Sequence, residues 1–346
     1  MDDFRRLLAA VIVFAGVVYG LGLTGPRVYE GVRLRDVPVT WTVPGRGLSM
    51  ASHALTGSLV AAHGLNVALH LVNGGLVYAL GVTLASPVVG LVAASLFLVL
   101  PLNSEAVQYL AARSDLLMST GALVAVWLAL GVAVTTSGAI WRLLGLGAAL
   151  LMAAMSQEIG LVAIVLVMLT LAIWRHTPQS AFVLNLIIGV FGLTVGIAGH
   201  QIAAWVSMAA GSGGTFLTWP HFALVQLTAL WRLLVFWPLG LSIDHDMLAL
   251  TRTYGTVAVL ATAGVLGLAW MWRSALWMRY TLGWIAICVG PRFVFATNEF
   301  LNEHDLYLAS VGLCLGVSVY AQRWLVEPLP LERGVTMRLR HGVRVQ

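Results

Sequence analysis

Acids and an arginine interrupt two long apolar stretches of this chain, at positions where ionisable groups can transfer protons or bind anions. Glu105, Arg113 and Asp115 lie in the stretch 101–115, and Glu158 begins a later apolar run. Ionisable side chains at membrane depth are costly and indicate function by default. Two plainer interpretations stay open. Arg113 could form an ion pair with Asp115 or Glu105 that only fixes a loop, and Glu158 could cap a helix N-terminus, which favours negative charge.

Two further polar groups lie in the second half of the chain. Asp244, His245 and Asp246 are consecutive, a pattern typical of a general base or of a divalent-cation site with oxygen and imidazole ligands. Glu303 belongs to a second group, Asn298–Tyr307, just before the last apolar segment. Either group could instead be the solvated end of a loop.

A polar stripe runs along one apolar segment. His63, Asn66, His70 and Asn73 are spaced so that they share one face of a helix. Such a stripe must face protein or water rather than lipid, and it predicts hydrogen bonds between helices. The two histidines are about 10 Å apart along a helix, too far to share a metal. Axial ligation of a haem or chlorin by His63 or His70 is the alternative.

The composition indicates an integral membrane protein. The 346 residues are 60% hydrophobic and 10% charged, which does not fit soluble packing. Long unbroken apolar segments favour an all-α bundle over a barrel. The chain contains no lysine, which excludes a Schiff-base lysine. The net charge of +5 comes from scattered arginines, so it does not indicate a nucleic-acid partner.

We predict about ten transmembrane helices, because a span needs roughly 20 apolar residues. The segments are Leu7–Leu23, His63–Ala85, Val88–Leu100, Leu116–Val134, Leu143–Met155, Ile159–Trp174, Phe182–Val206, Tyr254–Trp272, Leu282–Phe295 and Leu306–Leu325.

Arginine placement predicts how the chain is threaded, since cytoplasmic loops are enriched in basic residues. We predict that both termini are cytoplasmic and that Phe216–Leu241 is a re-entrant or interfacial helix. The polytopic membrane domain then covers residues 1–325, with outer loops 24–62 and 207–253, and residues 326–346 form a basic cytoplasmic tail. Membrane lipids are the expected partners. The composition, rich in Ala, Gly, Val and Arg, is typical of a GC-rich bacterial genome and so predicts a bacterial inner membrane.

Several short motifs, taken in order, resemble those of a known family. They are Gly45–Leu48 with Ser52–Leu55, His63–Asn66 with Leu69–Asn73, Glu105–Leu117, Ser156–Glu158, Trp231–Pro238 and Asn302–Gly312. Together they resemble the polytopic glycosyltransferases of the GT-C type, specifically the membrane module of the transmembrane-and-tetratricopeptide O-mannosyltransferases and their bacterial relatives. The resemblance covers most of the chain.

The resemblance implies transfer of a sugar from a polyprenyl-phosphate donor to an acceptor at the outer membrane face. It implies a carboxylate in the first outer loop that acts as general base or metal partner, for which Asp36 and Glu30 are the candidates. It also implies cationic groups for the departing lipid phosphate, for which Arg113, Arg232 and Arg292 are the candidates. A divalent cation could take part of that role.

The chain departs from the family pattern in three places. Glu30 stands without the second acid of the family's pair, and Gln157 replaces the family's lysine. The tetratricopeptide repeats are not found in these 346 residues. These departures motivate a second hypothesis, a catalytically degenerate structural subunit bound to other membrane subunits in a larger complex.

Overall fold

The computed structural model describes residues 2–24, 47–134, 139–174, 219–233, 247–271, 275–294 and 301–326. Within these ranges the protein is built from α-helices and short 3-10 turns, with no strand. The predicted all-α class is therefore confirmed for the described part of the chain. In chain order the helices are α1 (Asp2–Gly20), α2 (Gly47–Leu55), α3 (Leu59–Leu84), α4 (Pro87–Val99), α5 (Ser104–Gln108), α6 (Arg113–Val134), α7 (Ala139–Ser156), α8 (Val162–Trp174), α9 (Trp219–Trp231), α10 (Met247–Met271), α11 (Leu276–Val294) and α12 (Tyr307–Val326).

Three stretches of the described chain are long and apolar enough to cross a membrane on their own. They are Leu59–Leu84, Leu110–Val132 and His304–Arg323. The helical segments Pro87–Val99 and Pro101–Gln108 meet at an angle of 57°. If they form one broken span, the described chain has a fourth candidate crossing. These spans suggest a membrane protein, and the number of about ten crossings stays a prediction.

The predicted apolar segments overlap the observed helices wherever the structure describes them, although α10 and α11 begin seven and six residues earlier than predicted. The segment His63–Ala85 lies in α3 up to Leu84. Helix α3 begins four residues earlier than predicted because Ser58 caps it by accepting a hydrogen bond from the Ala61 N–H. Phe216–Leu241 contains α9. The predicted outer loop 24–62 is helical over α2, and the predicted span Phe182–Val206 lies outside the described residues.

The break after α4 has a local cause in the sequence. Pro101 cannot donate a backbone hydrogen bond, and its ring disfavours helical geometry at Leu100. Leu100 is accordingly extended, with φ −66° and ψ 113°. The chain turns there and continues as the short helix α5, which carries Glu105. Proline thus converts an apolar run into a bend that places an acid among packed helices.

Helices α3 and α6 lie at the centre of the packing. Helix α3 contacts α1, α4 and α6, while α6 also packs against α7 and α8, and α12 packs against α4 and α11. One contact brings two backbones together: a Cβ added at Gly81 of α3 would lie 2.5 Å from the Cα of Gly90 in α4. This crossing requires glycine because no side-chain movement can relieve a clash with backbone atoms.

We expect Gly81→Ala to lower the stability of the purified protein by about 1–3 kcal/mol, because the added methyl group forces α3 and α4 apart. Gly75→Ala is the matched control on the same helix, since a Cβ there meets no atom within 4 Å. Thermal unfolding of both variants in one detergent measures the difference. Equal unfolding temperatures for the two variants would contradict the close crossing.

Candidate functional site

The polar stripe of α3 hydrogen-bonds to the backbone of the broken segment that follows α4. Asn66 Nδ2 donates to the carbonyls of Val107 (3.2 Å) and Tyr109 (3.3 Å). His70 Nε2 lies 3.2 Å from the carbonyl of Leu98. These carbonyls lie around the breaks on either side of α5, and a buried carbonyl without a partner would cost free energy. The predicted hydrogen bonding of the stripe to neighbouring helices is confirmed. Asn66 and His70 use it to bind backbone carbonyl groups.

The chemistry of the partners fixes the direction of the bonds around His70. A carbonyl only accepts, so Nε2 carries the proton that Leu98 receives. Nδ1 therefore accepts from the Tyr307 hydroxyl, at 2.8 Å, and the Tyr307 oxygen accepts from Asn73 Nδ2, at 3.2 Å. His70 is fully buried, and both of its nitrogens are engaged by protein groups. In this arrangement neither nitrogen faces a position that an axially ligated haem or chlorin could occupy.

Arg113 is fully buried and holds α2, α3 and α6 together. Its Nε donates to Asn66 Oδ1 (2.8 Å), its Nη1 to Thr56 Oγ1 (3.2 Å) and its Nη2 to the Ala62 carbonyl (3.0 Å), with Ser52 Oγ at 3.5 Å from Nη1. All of these described acceptors are neutral. An ion pair of Arg113 with Asp115 or Glu105 was one interpretation of the sequence. In the structure Arg113 instead donates to hydroxyl, amide and carbonyl oxygens.

A second polar group, which we call the acidic centre, consists of Glu105, Asp115, Glu303, His304 and Asp305. Two contacts join Glu105 to His304. The His304 N–H donates to Glu105 Oε2 at 3.1 Å, and His304 Nδ1 lies 3.2 Å from Glu105 Oε1. The second contact is electrostatic, between the imidazole and the carboxylate. The Glu105 side chain is 35% exposed and is the most accessible carboxylate of the centre.

Asp305 organises the turn that carries the acidic centre. Its Oδ1 forms an ion pair with Arg292 of α11, and its Oδ2 accepts from the Asn302 N–H at 3.0 Å. The turn is also held by Gln226 of α9, whose Oε1 accepts from the Leu301 N–H at 2.8 Å. Side chains from α9 and α11 therefore fix the backbone on which Glu303 and His304 stand.

Asp115 and Glu303 complete the acidic centre from two sides. Asp115 is buried beside the Gln157 amide and within electrostatic range of His304, Asp305 and Arg292. Glu303 is buried within range of Glu105, Arg232 and His304. The fold thus gathers acids that are far apart in the sequence.

Of the remaining predicted site residues, the structure describes only His63. Glu30, Asp36, Asp244, His245 and Asp246 lie outside the described residues, as does the side chain of Glu158. His63 is buried on α3. In the described ranges, no three histidine, cysteine, aspartate or glutamate side chains lie close enough together to hold a metal ion.

Tyr307 is the structural residue that sequence reasoning missed. A tyrosine at the start of an apolar helix looks like a core residue, and only its partners His70 and Asn73 reveal its role. The polar residues of α3 were a signal that a hydroxyl or amide on another helix should face them. Nothing in the spacing identified which one.

No protein family, curated protein or solved structure matches the chain.

We expect Tyr307→Phe to destabilise the protein by about 1–3 kcal/mol, because His70 Nδ1 and Asn73 Nδ2 lose a buried partner. Tyr78→Phe is the control, since no hydrogen bond of its hydroxyl is found in the described part of the chain. Urea or thermal unfolding in detergent compares them. If both variants lose the same stability, the Tyr307 hydroxyl has no special role.

Glu303 should make stability depend on pH. Burial, and then the nearby Glu105 carboxylate, raise the pKa of Glu303 from 4.5 to about 7, while Arg232 and His304 oppose the rise. The folded state therefore binds this proton more tightly than the unfolded state. The free energy of unfolding is highest while Glu303 is protonated and falls as the pH rises from about 4.5 to about 7.

Glu303→Gln keeps the shape of the protonated side chain and cannot ionise, so we expect its stability to change less between about pH 5 and about pH 8. Thermal unfolding of the wild type and the variant at steps across this range measures the two slopes. Parallel curves would show that Glu303 does not contribute to the pH dependence.

Proposed function

We propose that this chain is a GT-C-type membrane glycosyltransferase that transfers a sugar from a polyprenyl-phosphate donor to an acceptor at the outer face of a bacterial inner membrane. In this proposal the chain crosses the membrane about ten times and keeps both termini in the cytoplasm. The apolar composition, the candidate spans and the ordered motifs support it.

The observation that carries the proposal is the partly exposed Glu105 carboxylate at the edge of an otherwise buried acidic centre. Such a carboxylate can take the proton of an acceptor hydroxyl. The hydroxyl oxygen then attacks the anomeric carbon of the sugar, and the bond between that carbon and the lipid phosphate breaks. The resemblance gives the role of base to Asp36 or Glu30, so all three acids belong in one test.

Cationic groups for the departing phosphate are the second requirement of the reaction. Arg292 is already paired with Asp305, and the described nitrogen contacts of Arg113 are to protein acceptors. Arg232 follows the last residue of α9 and acts on Glu303 electrostatically. Arg232 and Arg292 both act on acids of the centre, and both stay candidates for the donor phosphate together with Arg113.

The enclosure of Arg113 favours a second candidate function, a structural subunit of a larger membrane complex. A guanidinium held by Asn66, Thr56 and the Ala62 carbonyl would have to give up these bonds to bind a phosphate. In a subunit without catalysis, the same bonds serve only to hold α2 and α3 against α6.

The test reconstitutes the purified protein in liposomes with the polyprenyl-phosphate sugars extracted from its source membrane. We expect the wild type to consume the lipid-linked sugar. Glu105→Gln, or one of Asp36→Asn and Glu30→Gln, should slow consumption about 100-fold or more, because a general base contributes that much to rate. Mass spectrometry of the lipid fraction follows the reaction.

Asp3→Asn is the matched control, because Asp3 lies on α1 with its side chain 91% exposed. Its consumption rate should equal that of the wild type. No consumption by the wild type, together with stoichiometric partner proteins in native mass spectrometry, would replace the transferase with the structural subunit.

A further inference from the structure

Two residues that are far apart in the sequence meet at the most accessible edge of the acidic centre. Glu105 lies on the short helix α5, and His304 lies in the turn that leads into α12. The His304 backbone N–H donates to Glu105 Oε2 at 3.1 Å, and the imidazole Nδ1 lies 3.2 Å from Glu105 Oε1. One residue thus engages both oxygens of the carboxylate.

The turn before α12 holds the backbone half of this contact. Asp305, the residue after His304, accepts a hydrogen bond from the Asn302 N–H at 3.0 Å and forms an ion pair with Arg292. These contacts fix the backbone on both sides of the His304 N–H. The bond to Glu105 Oε2 therefore does not depend on the His304 side chain, and a substitution of that side chain changes only the contact to Oε1.

The imidazole half of the contact adds a positive charge. A carboxylate oxygen lies near each ring nitrogen, with Glu105 Oε1 beside Nδ1 and Asp305 Oδ1 3.9 Å from Nε2. An ionised carboxylate only accepts, so the ring faces both oxygens favourably as the doubly protonated imidazolium. The Tyr109 ring packs beside the imidazole, with the two ring centroids 5.9 Å apart.

A general base needs a fixed position as well as a free electron pair. Small displacements of a reacting group lower the rate strongly. The Glu105 side chain is 35% exposed, and an exposed carboxylate that nothing held would move among several rotamers. The two contacts from His304 restrict that movement.

We propose that His304 is the positioning residue of Glu105, whose carboxylate it holds in one orientation for proton transfer from the acceptor hydroxyl. This inference rests on the proposed function and deepens it, since it names the group that prepares the base. In this scheme His304 acts only through Glu105 and contacts neither the acceptor nor the donor.

Two variants separate the donor at Nδ1 from the bulk of the ring. His304→Leu removes the donor and keeps much of the bulk, whereas His304→Asn is smaller and carries an amide N–H near the place of Nδ1. In the transfer assay we expect His304→Leu to lower kcat about 10- to 100-fold, because the base leaves its position. The KM for the extracted lipid-linked sugar should change little, since binding is untouched. His304→Asn should keep most of the turnover.

His221→Leu is the matched control, because His221 is an exposed histidine of α9 outside the acidic centre. Its kcat should equal that of the wild type. Wild-type turnover in both His304→Leu and His304→Asn would show that His304 does not position the base. Equal losses in the two variants, together with lower unfolding temperatures, would make the role of His304 structural. Either result overturns the inference.

Carboxyl labelling tests the same contact without turnover. A water-soluble carbodiimide with glycinamide modifies carboxyl groups that are free to take up a proton, and mass spectrometry of the peptides locates the label on Glu105. We expect Glu105 to be labelled several-fold faster in His304→Leu than in the wild type, with little change in His304→Asn. Simple opening of the site would give the opposite order, because asparagine leaves more space than leucine. Equal labelling in the wild type and both variants would overturn the inference.

The two measurements keep this inference separate from the proposed function. Labelling of Glu105 that depends on His304, without consumption of lipid-linked sugar by the wild type, would remove the transferase and keep the hold of His304 on Glu105. Full turnover by Glu105→Gln would keep the transferase, move the base to Asp36 or Glu30, and overturn the role of His304.

Discussion

The carbonyl groups that a helix exposes where it breaks need hydrogen-bond donors when no water can reach them. In this protein α3 supplies those donors from within an otherwise apolar segment. Asn66 binds the carbonyls of Val107 and Tyr109, and His70 binds that of Leu98. The chain can therefore turn at Pro101 inside the packed helices, and α5 follows that turn.

The turn determines where the acidic centre forms. Because the chain bends after α4, the Glu105 carboxylate reaches the backbone N–H of His304, which precedes α12. Tyr307 lies on the first turn of α12 and binds both His70 and Asn73 of α3. Helix α3 thus supports the broken segment around α5 and also fixes the first turn of α12. Hydrogen bonds between uncharged groups thus place Glu105 and the start of α12, while the ion pair of Asp305 with Arg292 fixes the turn between them.

The sequence predicted the features that depend on local pattern. The spacing from His63 to Asn73 predicted one buried polar face, and Pro101 ends the apolar run where α4 ends. It could not predict partners, because an arginine between two acids has the same local pattern whether it binds Asp115 or the neutral atoms around Asn66. Long-range packing decides such cases. The acids that the family resemblance favours as the base, Glu30 and Asp36, stay predictions.

The chain of hydrogen bonds from Asn73 through Tyr307 and His70 ends at the Leu98 carbonyl, which has no proton to give. A proton wire works only if every member can both release and receive, so this chain is closed at one end. In this orientation a proton cannot pass from Asn73 to the Leu98 end of the chain, so the three side chains hold the helices together without conducting protons.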